Sequence, residues 1–285
     1  MAQSKPVLMA VLAHPDDESF GMGGTLALYA ARGVEVHLIC ATRGEVGAVA
    51  PEYLEGYRSI ADRRESELRC AAGILGLNGV HFLDYRDSGM PGSQDNSHPQ
   101  ALAAQPLDEV ASKVVRYMRE LRPQVVLTFD PIGGYLHPDH VAIQRATVRA
   151  FEQAGNPSFA PDCPTTVAPQ RMYFHTFPHG FLKLLVKLLP LFGKNPHRWG
   201  SNGDVDLVPI AQVSFPTNAR LDIHSVLDQK RRAGACHASQ GGGRMGGSLT
   251  SFFLSLVGRS ESFMRAAPPP HPGDKIERDL FQAVR

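Results

Sequence analysis

The sequence predicts an α/β protein: a Rossmann-like, mostly parallel sheet flanked by helices, with a smaller C-terminal α/β extension. Two observations carry this. Short apolar runs alternate with helical stretches of roughly fifteen residues, the pattern of right-handed parallel crossovers. Two of those runs, residues 7–13 (VLMAVLA) and 124–129 (QVVLTF), are apolar throughout or nearly so, as expected of strands buried on both faces.

Taken in order, residues 7–13 form the first strand, which Pro15 ends because proline gives the ladder no N–H. Residues 21–24 are a glycine-rich turn, 25–32 a helix closed by Gly33, and 34–41 (VEVHLICA) the second strand. Residues 42–57 read as a loop, 59–75 as a helix, 80–83 as a short strand and 88–105 as a long polar loop. Val110, Val114, Tyr117, Met118 and Leu121 recur at helical spacing over residues 107–121. After the strand at 124–129 comes a helix from 138 to 154, then a loop over 156–169 with four prolines. Residues 171–176 read as a strand, 205–223 as one or two more, and 225–238 as a helix. Residues 240–248 (QGGGRMGGS) are glycine-dense, and the tail carries a linker-like PPPHPG. Residues 1–155 are expected to hold the Rossmann-like region and 156–285 the extension that completes the sheet and pocket, in one continuous domain.

With 285 residues there is ample chain for a large core, and 43% hydrophobic with 20% charged content is ordinary for a globular protein. A net charge of +1 gives no electrostatic reason to expect nucleic acid or an anionic membrane as partner. Cys40, Cys70, Cys163 and Cys236 form no CxxC pair; Cys40 and Cys70 sit in apolar stretches and are expected to be buried free thiols. The N-terminal apolar run ends in a charged motif, unlike a signal peptide, so the cytoplasm is the expected compartment.

The chemistry lies where two strands stop. The first runs into His14, Pro15, Asp16, Asp17 and Glu18; the strand at 124–129 runs into DPIGGYLHPDH, residues 130–140. In open α/β sheets the carboxyl edge is where ligands bind. His14 and Asp17, three apart on a turn opening a helix, can converge on one point, and His140 adds a third donor from another strand end. Two imidazoles and a carboxylate suit a zinc ion with an open position, and other divalent transition metals accept the same donors. The alternative is that His14 and Asp17 only cap a helix. Asp16 should point differently, towards water on the metal, where a carboxylate can take a proton during attack on a carbonyl. His137 is either a further ligand or a partner to the reacting group.

AHPDDE near the N-terminus with a later HPDH resembles the zinc-dependent N-deacetylases of the PIG-L/LmbE-like family, which includes N-acetylglucosaminyl deacetylases and mycothiol-conjugate amidases. Arg64 to Leu68 (RxxEL), Arg86 to Met90 (RDSGM) and His237 to Gln240 (HxSQ) also fit in order. The resemblance implies Asp16 as general base and His137 as the residue that stabilises charge or donates a proton, with Asp139 setting its tautomer. It further implies Tyr135 near the oxyanion, Arg64 at substrate hydroxyl or phosphate groups, and Asp87 accepting from sugar hydroxyls. His237 would approach the centre, in its own or a neighbouring subunit.

The expected reaction is hydrolysis of the N-acetyl group of an N-acetylglucosamine-containing small molecule. The alternatives are an amidase acting on a larger acyl or thiol-conjugate amide, and a non-catalytic metal- or sugar-binding protein, which would be expected to lack Asp16 or His137. A dinucleotide-binding oxidoreductase needs G-x-G-x-x-G directly after the first strand; HPDDE stands there instead. Residues 181–192 (FLKLLVKLLPLF) are too short to span a bilayer, which takes about twenty residues. They are read as a helix in a homo-oligomer interface or a lid, with an interfacial membrane helix as the alternative.

Overall fold

A computed structural model of the chain describes residues 5–163, 165–176, 179–198, 203, 205–242, 258–282 and 284. The order of elements is β1 (Val7–Leu12), α1 (Asp17–Phe20), α2 (Gly23–Ala31), β2 (Glu35–Cys40), α3 (Ile60–Leu75), β3 (Gly79–Phe82), α4 (Leu107–Leu121) and β4 (Val125–Phe129). Then follow α5 (Gly133–Leu136), α6 (Pro138–Gln153), β5 (Arg171–Thr176), α7 (His179–Leu188), α8 (Leu207–Ile210), β6 (Ala219–Asp222), α9 (Leu227–Cys236) and β7 (Ser260–Ala267). Short 3-10 turns interrupt the loops at Pro51–Leu54, Gln94–Ser97 and Leu102–Ala104.

All but one of these strands lie as the sequence predicts. They form one seven-stranded sheet in the order β3-β2-β1-β4-β5-β7-β6. The first five run parallel, while β7 is antiparallel to both β5 and β6. From β1 the chain winds outward through β2 and β3, then returns to place β4 on the other side of β1. The crevice where ligands bind in such sheets therefore opens at the carboxyl ends of β1 and β4. Every residue of β1 and β4 is buried, which explains their unbroken apolar character. Local signals set the helix ends: Ser59 caps α3 through the Asp62 N–H and Gly76 closes it in a left-handed turn.

The C-terminal half departs from the sequence reading in two places. The 205–223 stretch yields the helix α8 and the strand β6, and β7 has no counterpart among the predicted elements. The reading of 240–248 falls mostly outside the described residues. Cysteine usage also differs. Cys40 is a buried free thiol, but Cys70 lies exposed on α3 and is bonded to Cys236 at the end of α9. A pairing across 166 positions leaves no local signal.

Glu261 of β7 explains the glycine-rich turn after β1. Its carboxylate accepts from the Gly24 and Thr25 N–H groups at 3.0 and 2.7 Å, and Lys230 pairs with it at 2.6 Å. A Cβ at Gly24 would lie 2.9 Å from that carboxylate oxygen and 2.4 Å from Ile223. The amino end of α2 thus holds the chain's own carboxylate where a dinucleotide fold would hold a phosphate. Glu261→Ala should cost about 2–3 kcal/mol by leaving buried donors unpaired. Urea unfolding reads this as a lower midpoint at unchanged slope; a midpoint within error of wild type would refute it.

Candidate metal centre

The two HPD turns converge. His14 leaves β1, and His140 sits in the first turn of α6, whose start is set by Pro138 and by His137 as N-cap. Their ring centroids are 5.1 Å apart. His14 Nδ1 lies 3.1 Å from His140 Nε2 and 3.6 Å from Asp17 Oδ2, while Asp17 Oδ1 lies 3.3 Å from His140 Nε2. Donors bound tetrahedrally to one ion at ~2.1 Å stand about 3.4 Å apart, a spacing that the two nitrogens meet with each other and with the Asp17 carboxylate through one or the other of its oxygens. His14, His137 and His140 also offer nitrogens within 4.8 Å of one another.

Each ligand-type histidine is held through its other nitrogen. His14 Nε2 faces Asp139 Oδ2 at 3.1 Å and Asp87 Oδ1 at 3.6 Å, and His140 Nδ1 faces the Gly133 carbonyl at 3.0 Å. Such partners fix the tautomer that leaves the inner nitrogen free. Gly133 has φ +64°, and a Cβ there would meet His140 Cβ at 2.6 Å, so glycine is required. Phe129 stacks on His140 at 4.0 Å and closes the apolar side.

The fully buried Asp139 acts differently from the expectation. Its carboxylate faces His14 and accepts from the Ser88 N–H and hydroxyl, so it does not set the tautomer of His137. It is the Asp139 backbone N–H that His137 Nδ1 accepts, at 3.2 Å, because His137 caps α6. A neutral His137 then carries its proton on Nε2. Burial, with His14 and His140 nearby, pushes the pKa of His137 down, and burial and His14 do the same to His140. For His14 burial opposes the charge, but Asp87, Asp139 and Asp17 outweigh it and raise its pKa.

Asp16 sits beside the cluster with φ 122°, a conformation that ordinary side chains avoid. Its N–H donates to Glu18 Oε2 at 3.0 Å, and its Oδ2 accepts from Arg64 at 3.0 Å. Burial raises Asp16 to about 6 against the pull of Arg64, and raises Asp17 to about 6 against that of His14.

Three residues expected at the substrate are buried and engage other groups of the protein. Arg64 is on the inner face of α3, buried, and its guanidinium is used on Pro15 O, Gly44 O and Asp16. Gly44 makes that reach possible, since a Cβ there would fall 2.0 Å from Arg64 Nη1. Asp87 is buried against His14, accepting from the Gly89 N–H. His237 is fully buried with Nε2 2.7 Å from Glu18 Oε1, so within this chain it touches the residue that braces Asp16. Tyr135 stands edge-on over His140 at 4.8 Å, and burial raises its hydroxyl well above the usual range. Sequence reasoning gave no role to Glu18, Ser88 or Glu45, although the first two belong to the HPDDE and RDSGM motifs. Glu45 accepts the Asp87 N–H, leaves Oε2 buried and unpartnered, and lines a polar cleft of about 420 Å³ with Arg43, Tyr85, Arg86, Gln100 and Lys113.

The sequence profile of the GlcNAc-PI de-N-acetylase (PIG-L) family matches residues 9–151, which include both HPD turns. A 1D-myo-inositol 2-acetamido-2-deoxy-alpha-D-glucopyranoside deacetylase from Rhodococcus jostii is 34% identical over 97% of this chain and 98% of its own. The chain belongs to the PIG-L family. Among solved structures, the N,N'-diacetylchitobiose deacetylase of Pyrococcus horikoshii superposes with a TM-score of 0.62 at 20% identity, over 98% of this chain and 86% of that one. The 4-carboxy-2-hydroxymuconate hydratase GalB of Pseudomonas putida superposes with a TM-score of 0.59 at 22% identity, over 94% and 99%. This fold therefore serves more than one reaction, and function must be argued from the side chains.

Asp139→Asn keeps the shape of the side chain but removes the charge facing His14. Metal affinity should fall roughly 10- to 100-fold, the usual effect of losing such a partner. Competition with a chromophoric chelator measures it, and wild-type affinity would contradict the role.

Proposed function

We propose that this PIG-L family member is a metal-dependent N-deacetylase, with zinc as its metal, that releases acetate from an N-acetylglucosaminyl conjugate of the kind its relatives are named for. One observation carries the reading: the imidazole nitrogens of His14 and His140 and the Asp17 carboxylate approach one another at 3.1–3.6 Å in a crevice that also holds the Asp16 carboxylate and the His137 imidazole. His14, Asp17 and His140 would hold the metal. When bound, it supplies Lewis acidity to the amide carbonyl and makes the attacking water more acidic.

The chain's own groups do the remaining work. Asp16 keeps Oδ1 free while Arg64 holds Oδ2, so it can take the proton of water as the water adds to the carbonyl carbon. His137 is neutral with its proton on Nε2, available to the carbonyl oxygen as charge builds there. The proton that Asp16 took from the water passes to the amine nitrogen as the C–N bond breaks, giving acetate and a free amine, while His137 keeps its own proton and only hydrogen-bonds the oxyanion. Tyr135 remains a hydroxyl donor beside the same ring. Arg64, Glu18 and His237 position Asp16, and Asp87 and Asp139 position His14. The polar cleft shared by Glu45 offers donors and acceptors for the hydroxyls of a sugar or polyol aglycone. The reading keeps the cytoplasm as compartment.

Asp16→Asn should retain metal while turnover falls by about 10²–10⁴. Because Arg64 engages the base, Arg64→Ala should lower kcat at nearly constant KM, in contrast to a substrate-binding arginine. Acetate release from N-acetylglucosaminyl-inositol, with elemental analysis of each variant, tests both. Wild-type turnover in Asp16→Asn removes it as base, and no acetate from any N-acetylglucosaminide removes the substrate class.

A further inference from the structure

The segment from 179 to 198 takes no part in this chemistry, yet α7 has two apolar faces. Leu182, Leu185, Val186 and Leu189 turn inward and, with Leu207 and Ile210, form a small second core that includes Ile132 and Tyr135. The opposite face of the helix carries Lys183, Leu184, Lys187 and Leu188, all exposed. The turn that follows presents Leu191 and Phe192 at 77% and 76% exposure. Scattered exposed leucines need no explanation; a contiguous set on one short helix and its following turn does.

Charge supplies the second observation. Residues 179–203 contain Lys183, Lys187, Lys194 and Arg198 and no Asp or Glu, in a chain whose net charge is only +1. All four of these cations are exposed. Asp206 pairs with His197 at the edge of this face, which still carries an excess of cations. Apolar side chains bordered by such an excess match an anionic lipid surface, where leucine and phenylalanine enter the acyl boundary and lysine meets phosphate. A two-fold contact with a second copy would instead bring the same lysines together, and the exposed carboxylate at the edge of the face, Asp206, is already engaged by His197 at 3.0 Å.

We propose that α7 and residues 189–198 form a docking surface for an anionic phospholipid bilayer. The chain would lie on the membrane, since among the described residues no helix is long and apolar enough to cross one. Tyr135 belongs to the same small core as the inner face of α7, which links the docking surface to the metal centre. The proposal does not depend on the reaction assigned to that centre.

Flotation of the purified full-length protein with phosphatidylcholine vesicles, with and without phosphatidylglycerol, tests it. We expect binding to the phosphatidylglycerol vesicles that weakens in high salt. Leu191→Asp with Phe192→Asp should weaken it roughly tenfold or more, and Lys183→Glu with Lys187→Glu should remove the preference for anionic lipid. These positions are exposed, and circular dichroism checks that the variants stay folded. Absence of vesicle binding by the wild type would overturn the proposal. So would binding unaffected by both variants, or light scattering that shows the same face closing a dimer that leaves vesicles unbound.

Discussion

The pairing of β1 with β4 is the constraint on which the site depends. Leu8, Met9 and Ala10 stand opposite Val125, Val126 and Leu127, and this register brings the turn after each strand to the same crevice. A slip of one residue would reverse every side chain of β4 between the faces and separate His14 from His140. The register is strongly set because both strands are wholly buried, so a slip would disrupt packing on two sides at once. The core thus aligns the two HPD turns before any metal binds.

Around that pair the protein invests in orientation. His14 and His140 are each held from behind, and Asp16 is held by a strained backbone, which typically costs about 1–3 kcal/mol. Glu18 receives the Asp16 N–H, His237 anchors Glu18, and Arg64 grips the carboxylate. The Cys70–Cys236 bond joins the helices that carry Arg64 and lead into His237, so two supports of Asp16 are covalently linked at their outer ends.

Much of this was legible in the sequence. Unbroken apolar runs ending in HPDDE and HPDH identify buried parallel strands and a polyvalent site at their carboxyl edge, because few other arrangements place such runs beside such charges. What was not legible was the use to which a side chain is put when its partner is far along the chain. Arg64 and His237 read as substrate contacts, but residue spacing carries no information on whether a long side chain points into the crevice or beneath it. Asp139 was assigned to its sequence neighbour His137, yet its carboxylate serves His14, which lies 125 positions away. β7 escaped prediction because half its residues are polar in type, with Glu261 and Arg265 buried only through partners from other elements.

The central claim is that one cation is held by His14, Asp17 and His140 while His137 stays free to donate a hydrogen bond. An anomalous difference map from zinc-loaded crystals tests this most directly. The account predicts one peak about 2.1 Å from His14 Nδ1, an Asp17 carboxylate oxygen and His140 Nε2, with His137 Nε2 beyond bonding distance. A peak bonded to His137 in place of Asp17, or one on the outer side of His14 between Asp87 and Asp139, would contradict it.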